Sequence, residues 1–432
     1  MIGMIVEVGC AKVDITPEMP VPLAGFAVRG NAPYEGIRSR IYLRAVYMRQ
    51  PGEGGAVRTA LLVSADLLWW GSDRVPGLLA KLKERWGLEK ETVVLHGTHS
   101  HSGPQTGFGF HRLLGAADAG YVGYLEDKLM EAVEAAAANV EPVTIERGAG
   151  ECRIGVQRRR YADGQAFGGE YPDGLMDPEL SVIRFRTQAG TDKAIIVHYA
   201  CHPVTAHQNY VSSEFTGTAA EEMERRLGDG ALCLYLQGTC GDINIFKSSA
   251  PAAMTDDYDQ IRYFGMKFAD AASAVLNSRM SRVKPVLLQG CSYSVPLPLK
   301  PLESKEELEA IAGKRQPPYD EWAVEMLSRG DTRATELVLE MNRLYIADGF
   351  AILTMNAEVV VEYGLYIKEI SSGSVWPVPY SNGMIGYVPT REQIRCGGYE
   401  PLLSTYYFYM PGRFEESIED TLRGKLDEIV GG

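Results

Sequence analysis

All seven histidines of this 432-residue chain fall in two short windows. His96, His99, His101 and His111 form the first, and His198, His202 and His207 form the second. Histidines that only pack or face solvent would scatter, so the clustering points to shared chemistry. The first window reads Leu95-His96-Gly97-Thr98-His99-Ser100-His101-Ser102-Gly103-Pro104. In extended backbone, residues two apart face the same side, so His99 and His101 can address one site. In the second window Pro203 follows His202 and holds that histidine extended. Neutral imidazole is the commonest zinc ligand, and a second imidazole nearby can orient water or carry a proton. Either window alone reads equally well as a polar turn with hydrogen-bonded histidines. Together they make a metal site the better reading.

The kind of metal site follows from what is lacking. Structural zinc sites favour closely spaced cysteines. The seven cysteines, Cys10, Cys152, Cys201, Cys233, Cys240, Cys291 and Cys396, show no such spacing. They read as reduced thiols of a cytoplasmic protein, with Cys201 and Cys240 as packing residues. A site with an open coordination position lowers the pKa of bound water to about 7, which is the chemistry of hydrolysis.

Both windows begin where an apolar run ends, and strand ends are where α/β proteins bind ligands. Runs expected as strands covered on both faces are Thr59 to Asp66, Thr92 to His96, Ala194 to Tyr199, Ala231 to Leu236 and Phe350 to Met355. The start, Met1 to Val8, reads as a further strand and not as a signal peptide. Helical patterns lie between: Ser72 (as cap) to Trp86 with Gly87 as stop, a helix ending near Asn139, Thr216 to Leu227 before Gly228, Asp256 to Leu276, and Phe414 to Ile429. Residues 301–345 look charged, helical and poor in strand signals, and could be a helical insertion or lid. The expected fold is α/β, with mixed, largely buried sheets and flanking helices in one catalytic unit over residues 1–432.

Composition removes several function classes. The formal net charge is −13 and no basic run interrupts it, which disfavours nucleic acid and anionic membrane as partners. No apolar stretch approaches the ~20 residues needed to span a bilayer. A small-molecule substrate remains; oligomeric state is not legible.

The ordered motifs resemble the neutral/alkaline non-lysosomal ceramidase family, in its N-terminal catalytic domain. Thr98-His99-Ser100-His101-Ser102-Gly103-Pro104 is similar to that family's histidine signature, and Ala11-Lys12-Val13-Asp14-Ile15-Thr16-Pro17 to its N-terminal segment. Asp177-Pro178-Glu179-Leu180, His202-Pro203, Gln237-Gly238-Thr239-Cys240-Gly241-Asp242-Ile243-Asn244, Gly386-Tyr387-Val388-Pro389-Thr390 and Gly398-Tyr399-Glu400 follow in the family's order. The resemblance implies a single zinc ion held by His99, His202, Glu358 and Tyr387. Glu358 stands in Met355-Asn356-Ala357-Glu358-Val359, where the family has Pro-Gly-Glu, so Glu362 remains the alternative ligand. It also implies His101 as the proton carrier, and Arg158 and Tyr399 as stabilisers of the oxyanion formed when zinc-bound hydroxide attacks a carbonyl. The arginine's register within Arg158-Arg159-Arg160 stays open by a residue or two.

Two departures bear on substrate. Asn244 stands where the family carries a serine, and the chain ends soon after Tyr399, before the β-sandwich domain of the family's ceramidases. The expectation is an amidohydrolase of a soluble N-acyl compound, such as an N-acylated sugar or amino acid, rather than of ceramide. An ester, lactone or glycoside hydrolase, or a non-catalytic binding member, remains an alternative.

Overall fold

A computed structural model describes residues 5–52, 56–330 and 334–431. The apolar runs are strands: Val57–Ala65, Val93–Gly97, Asp192–Tyr199, Leu232–Gln237 and Phe350–Met355. The first strand is Val6–Asp14; residues 1–4, where the expected strand began, lie outside the described residues. Burial on both faces explains why these runs lack polar alternation.

A nine-stranded mixed sheet carries both histidine windows. Its order runs Leu232–Gln237, Asp192–Tyr199, Glu179–Thr187, Glu141–Glu151, Val6–Asp14, Tyr42–Pro51, Val57–Ala65 and Val93–Gly97, with Ser281–Val283 branching from Glu141–Glu151. At each end lies a parallel pair, Asp192–Tyr199 with Leu232–Gln237 and Val57–Ala65 with Val93–Gly97. The two edges meet. The Gln237 amide donates to His96 Nε2 at 2.8 Å, and the Ser64 hydroxyl donates to the Tyr235 carbonyl at 2.6 Å. This closure brings the C-terminal ends of strands far apart in the pairing order to one place.

Alternate residues of the sheet face opposite layers, as the strand period requires. Leu61, Val63 and Leu95 pack against Leu78 and Leu82 of helix Val75–Trp86 and Leu125, Leu129 and Val133 of helix Ala119–Ala138. Ile195, Val197 and Tyr235 pack against helices Glu214–Leu227 and Asp257–Asn277. The other face, with Leu62, Val94, Ile196 and Leu234, meets Leu344, Ile346, Ile352 and Trp376 of a second, four-stranded sheet. That sheet is covered outside by helices Val361–Ile370 and Ile418–Val430. The layers are therefore helix, sheet, sheet, helix, the mixed α/β architecture expected.

Three local expectations are corrected. Ser72 caps no helix; its hydroxyl donates to the Met384 carbonyl and accepts from the Met384 amide, tying two loops, and the helix starts at Val75. Residues 301–345 hold two short helices, Lys305–Ala312 and Tyr319–Ser328, but also most of strand Glu336–Ala347. There Leu339 and Met341 are buried while Glu336, Val338 and Glu340 are exposed, a period of two hidden by the charges. The last helix begins at Ile418, four residues after the expected Phe414. No helix among the described residues is long and apolar enough to cross a membrane.

Candidate metal centre

His99 leaves the end of strand Val93–Gly97 in a left-handed conformation, φ 67°. An L-residue adopts this rarely, and such strain gathers at functional sites. The turn is held from both sides: the Thr98 amide donates to the Ala65 carbonyl at 2.9 Å and the Ser100 amide to the Leu67 carbonyl at 3.2 Å. His99 Nδ1 lies 3.1 Å from the Leu68 carbonyl. A carbonyl only accepts, so Nδ1 carries the proton and Nε2 presents a lone pair. His202 repeats the device: its Nδ1 donates to the Cys240 carbonyl, which leaves Nε2 as the free base. Burial, then the charges of His99 and Arg158, pushes His202 down to about 4, so the ring is neutral at pH 7.

Glu358 completes the convergence. Its carboxylate oxygen lies 3.1 Å from His99 Nε2 and 3.4 Å from His202 Nε2. His202 Nε2 and this Glu358 oxygen have no hydrogen-bond partner among the described residues, and both side chains are buried. Burial pushes the Glu358 carboxyl up, but the imidazoles of His99 and His202 more than reverse this, leaving it below the usual carboxylate range. Two imidazole nitrogens and a carboxylate oxygen facing one point call for a positive charge between them, a proton or a cation with nitrogen and oxygen ligands.

Tyr387 is brought alongside by backbone pairing. Glu358–Val359 and Tyr387–Val388 form a parallel two-stranded ladder in which Glu358 is opposite Tyr387. Gly241, in the turn after strand Leu232–Gln237, lies against this ladder; its amide donates to the Val359 carbonyl at 3.0 Å, and a Cβ there would sit 3.0 Å from the same peptide. Of the two glutamates, Glu358 is thus the one beside the histidines. Glu362, on helix Val361–Ile370, neighbours Asp242, Arg159 and Glu392 instead.

Arg158 faces the centre because its strand is irregular. Gly155–Ala162 pairs with Gln165–Tyr171, and the register shifts between Gln157 and Arg159. Such a bulge re-aims side chains. Arg158 Nη2 donates to the Tyr387 hydroxyl at 3.2 Å, Nη1 to Asn244 Oδ1 at 3.3 Å and Nε to Glu400 Oε1 at 2.9 Å. Arg159 pairs with the other Glu400 oxygen and with the Gly397 carbonyl, and Arg160 is exposed. A cleft of about 280 Å³ opens here, lined by Arg158, Asn244, Phe167, Gly168, Tyr399 and Glu400. Tyr399 is 36% exposed, and its ring lies 5.6 Å from that of Tyr387.

His101 Nε2 lies 3.3 Å from His99 Nε2. Burial holds His101 well below the usual imidazole range, and a proton on His99 or His202 would lower it further. The ring rests on Gly25, where a Cβ would come within 2.3 Å of His101 Nδ1, and beside Phe26, 4.8 Å away. His101 also lies close enough to share a cation with His99 and His202: ligand atoms of these three fall within 4.8 Å of one another. Three of the remaining four histidines serve the frame, and His207 packs on Phe26 with ring centroids 4.6 Å apart. His96 accepts from Gln237, His198 Nε2 donates to the Pro377 carbonyl, and His111 Nδ1 accepts from the Leu113 amide.

Sequence reasoning assigned no role to Glu400, which binds both guanidinium groups, nor to Tyr380, whose ring lies 4.1 Å from that of His99. For Glu400 the signal was its place beside Tyr399 in a recognised block. Tyr380 carried no signal in the chain.

Glu362 yields a separate expectation. Burial, with Asp242 as the nearest like charge, pushes its carboxyl up to about 8 from 4.5. The folded chain therefore keeps a proton that the unfolded chain releases. That contribution to stability is full below about pH 4.5 and is lost as pH rises through about 8. Glu362→Gln is expected to melt at a higher temperature than the parent at pH 8 and at nearly the same temperature at pH 5. Equal melting curves at pH 8 would refute it.

The sequence model of the neutral/alkaline non-lysosomal ceramidase N-terminal region matches residues 6–232, more than half of the chain. The fold is shared with a crystal structure of neutral ceramidase from Pseudomonas aeruginosa at a TM-score of 0.77 and 20% identity, over 99% of this chain and 74% of that one. A structure described as ceramidase complexed with C2 matches at 0.76 and 19% identity, over 99% and 75% of the respective chains. The chain belongs to the neutral/alkaline non-lysosomal ceramidase family of hydrolases.

Proposed function

We propose that this protein is a zinc-dependent amidohydrolase that cleaves the C–N bond of a small, polar N-acyl compound, working as one catalytic unit. One observation carries the reading: His99 Nε2, His202 Nε2 and a Glu358 oxygen converge in a buried spot beside the clamped Arg158 guanidinium. Zinc held by His99, His202, Glu358 and Tyr387 would supply Lewis acidity and an acidified water near neutral pH.

The chain's own groups supply the rest. Arg158 spends three of its five N–H donors on Glu400, Asn244 and Tyr387, which fixes its plane and leaves two for a carbonyl oxygen gaining negative charge. Fixing the donors beforehand avoids reorganisation when charge develops. Tyr399 adds a phenolic hydroxyl at the cleft. His101, kept neutral by burial, would take the proton that the attacking water gives up and pass it to the departing amine nitrogen.

The cleft argues for a small substrate. At about 280 Å³ it lies at the lower end of ligand pockets, and Arg158, Arg159, Asn244, Tyr399 and Glu400 offer charged and polar groups along it. That volume is small for two long alkyl chains. Asn244, standing where the family has serine, presents an amide to Arg158 and to the cleft. The seven free cysteines suit a reducing compartment, which favours the cytoplasm.

The test is carboxylate release from N-acyl amino acids and N-acyl sugars against ceramide in mixed micelles. The expected kcat/KM is at least about tenfold higher for the best polar amide. Faster turnover of ceramide would return the substrate to the one for which the family is named.

A further inference from the structure

Tyr380 is fully buried and non-glycine, yet its backbone is left-handed at φ 59°. An L side chain is held so only when its surroundings over-determine it. Here they do, through contacts that reach the segments bearing all three converging groups. The Tyr380 carbonyl accepts from the Gly97 amide at 3.1 Å, at the end of the strand that delivers His99. Its amide donates to the Ala357 carbonyl at 3.1 Å, one residue before Glu358. Its ring packs on the His99 imidazole with centroids 4.1 Å apart. Its hydroxyl lies 3.2 Å from Cys240 Sγ, and the Cys240 carbonyl is the acceptor for His202 Nδ1.

The neighbours of Tyr380 reinforce the same link. The Ser381 amide donates to the Met355 carbonyl at 3.2 Å, and the Asn382 amide to the Leu95 carbonyl at 2.8 Å. One short segment thus crosses from the strand before His99 to the strand before Glu358. Cys240, expected only to pack, is the link to His202.

We propose that Tyr380 is the positioning residue that holds His99, His202 and Glu358 in mutual register for a single ion. This rests on the reading of those three as metal ligands. The tyrosine touches no reacting atom; it acts through the ring of His99, through Cys240 and through the peptide before Glu358. Groups that orient ligands in this way commonly govern affinity by about 10–100-fold, although here the orienting contact is aromatic packing in place of a carboxylate.

The test uses the purified full chain and Zn2+ alone, with affinity read by chelator competition and geometry by the visible spectrum of the Co2+-substituted protein. Tyr380→Leu is expected to weaken Zn2+ binding by about tenfold or more and to change the Co2+ bands. Tyr380→Phe keeps the ring on His99 and is expected to restore most of that affinity. Cys240→Ala should match Tyr380→Phe, and the double variant should be no weaker than either, because both cut one contact. If Tyr380→Leu does not fold, the Phe, Cys240→Ala and double variants carry the test: a several-fold loss, shared and not additive, supports the proposal. Parent-like Zn2+ affinity and Co2+ spectrum in the folded Leu variant, or, where that variant does not fold, in both single variants, overturn it. A parent protein that binds no Zn2+ overturns the metal reading as well, whereas a parent that binds and a Tyr380→Leu protein that binds equally well overturn this inference alone.

Discussion

His99→Ala and His202→Ala are each expected to leave the protein without stoichiometric zinc and to lower turnover by about a thousandfold or more, because several kcal/mol of transition-state stabilisation would leave with the ion. Each change removes a lone pair from a buried point where His202 Nε2 and Glu358 have no other partner among the described residues. Either change removes one of the two imidazole donors of the proposed set and leaves one imidazole, the carboxylate and a phenol, a weaker set for zinc. His101→Ala is the contrasting case. It should keep the metal and lose about 10²–10⁴-fold in turnover, the range for a positioned proton carrier. Elemental analysis of dialysed protein beside initial rates separates the two. Loss of metal in His101→Ala would make His101 a ligand, as its 3.3 Å approach to His99 permits.

Arg158→Ala is expected to keep the metal and lose about 10²–10³ in kcat with a smaller change in KM, as when one oxyanion donor is removed. The structure gives a reason to expect little rescue by lysine. Three of the guanidinium's donors meet Glu400, Asn244 and Tyr387 at once. A lysine ammonium cannot reproduce that planar fork. Its loss would also leave Glu400 buried against Arg159 alone. Parent kcat in Arg158→Lys would remove Arg158 from the proposed chemistry, and Arg159→Ala is the control for charge in the same cleft.

The legible parts of the fold share one property: their signal is local. Strands Val93–Gly97 and Leu232–Gln237 are continuous apolar runs, and Gly87, in left-handed conformation at φ 64°, ends a helix where its type says it should. Strand Glu336–Ala347 was missed because its exposed face carries charges at helix-compatible spacing, and its partner strand Pro285–Pro298 lies far away in sequence. Ser72 reads as a cap because serine caps helices locally, but in the fold Met384 occupies its hydroxyl.

The same division holds for the candidate site. By itself the sequence determined which side chains are the candidates for the chemistry: two histidine windows at strand ends, an arginine triplet, and tyrosines in ordered blocks. Only tertiary structure decided how they meet. Closure of the sheet through Gln237 and His96 joins the ends that carry His99 and His202. The parallel pairing of Glu358 with Tyr387 sets one glutamate at the centre and leaves Glu362 beside Asp242. The bulge after Gln157 selects Arg158 from three arginines, and Tyr380 and Glu400 enter only through tertiary contacts, among them His99 and Arg158, each more than two hundred positions away. The physical reason is range: propensity and periodicity act within one or two turns of chain, whereas a metal centre is built where distant segments close on one another.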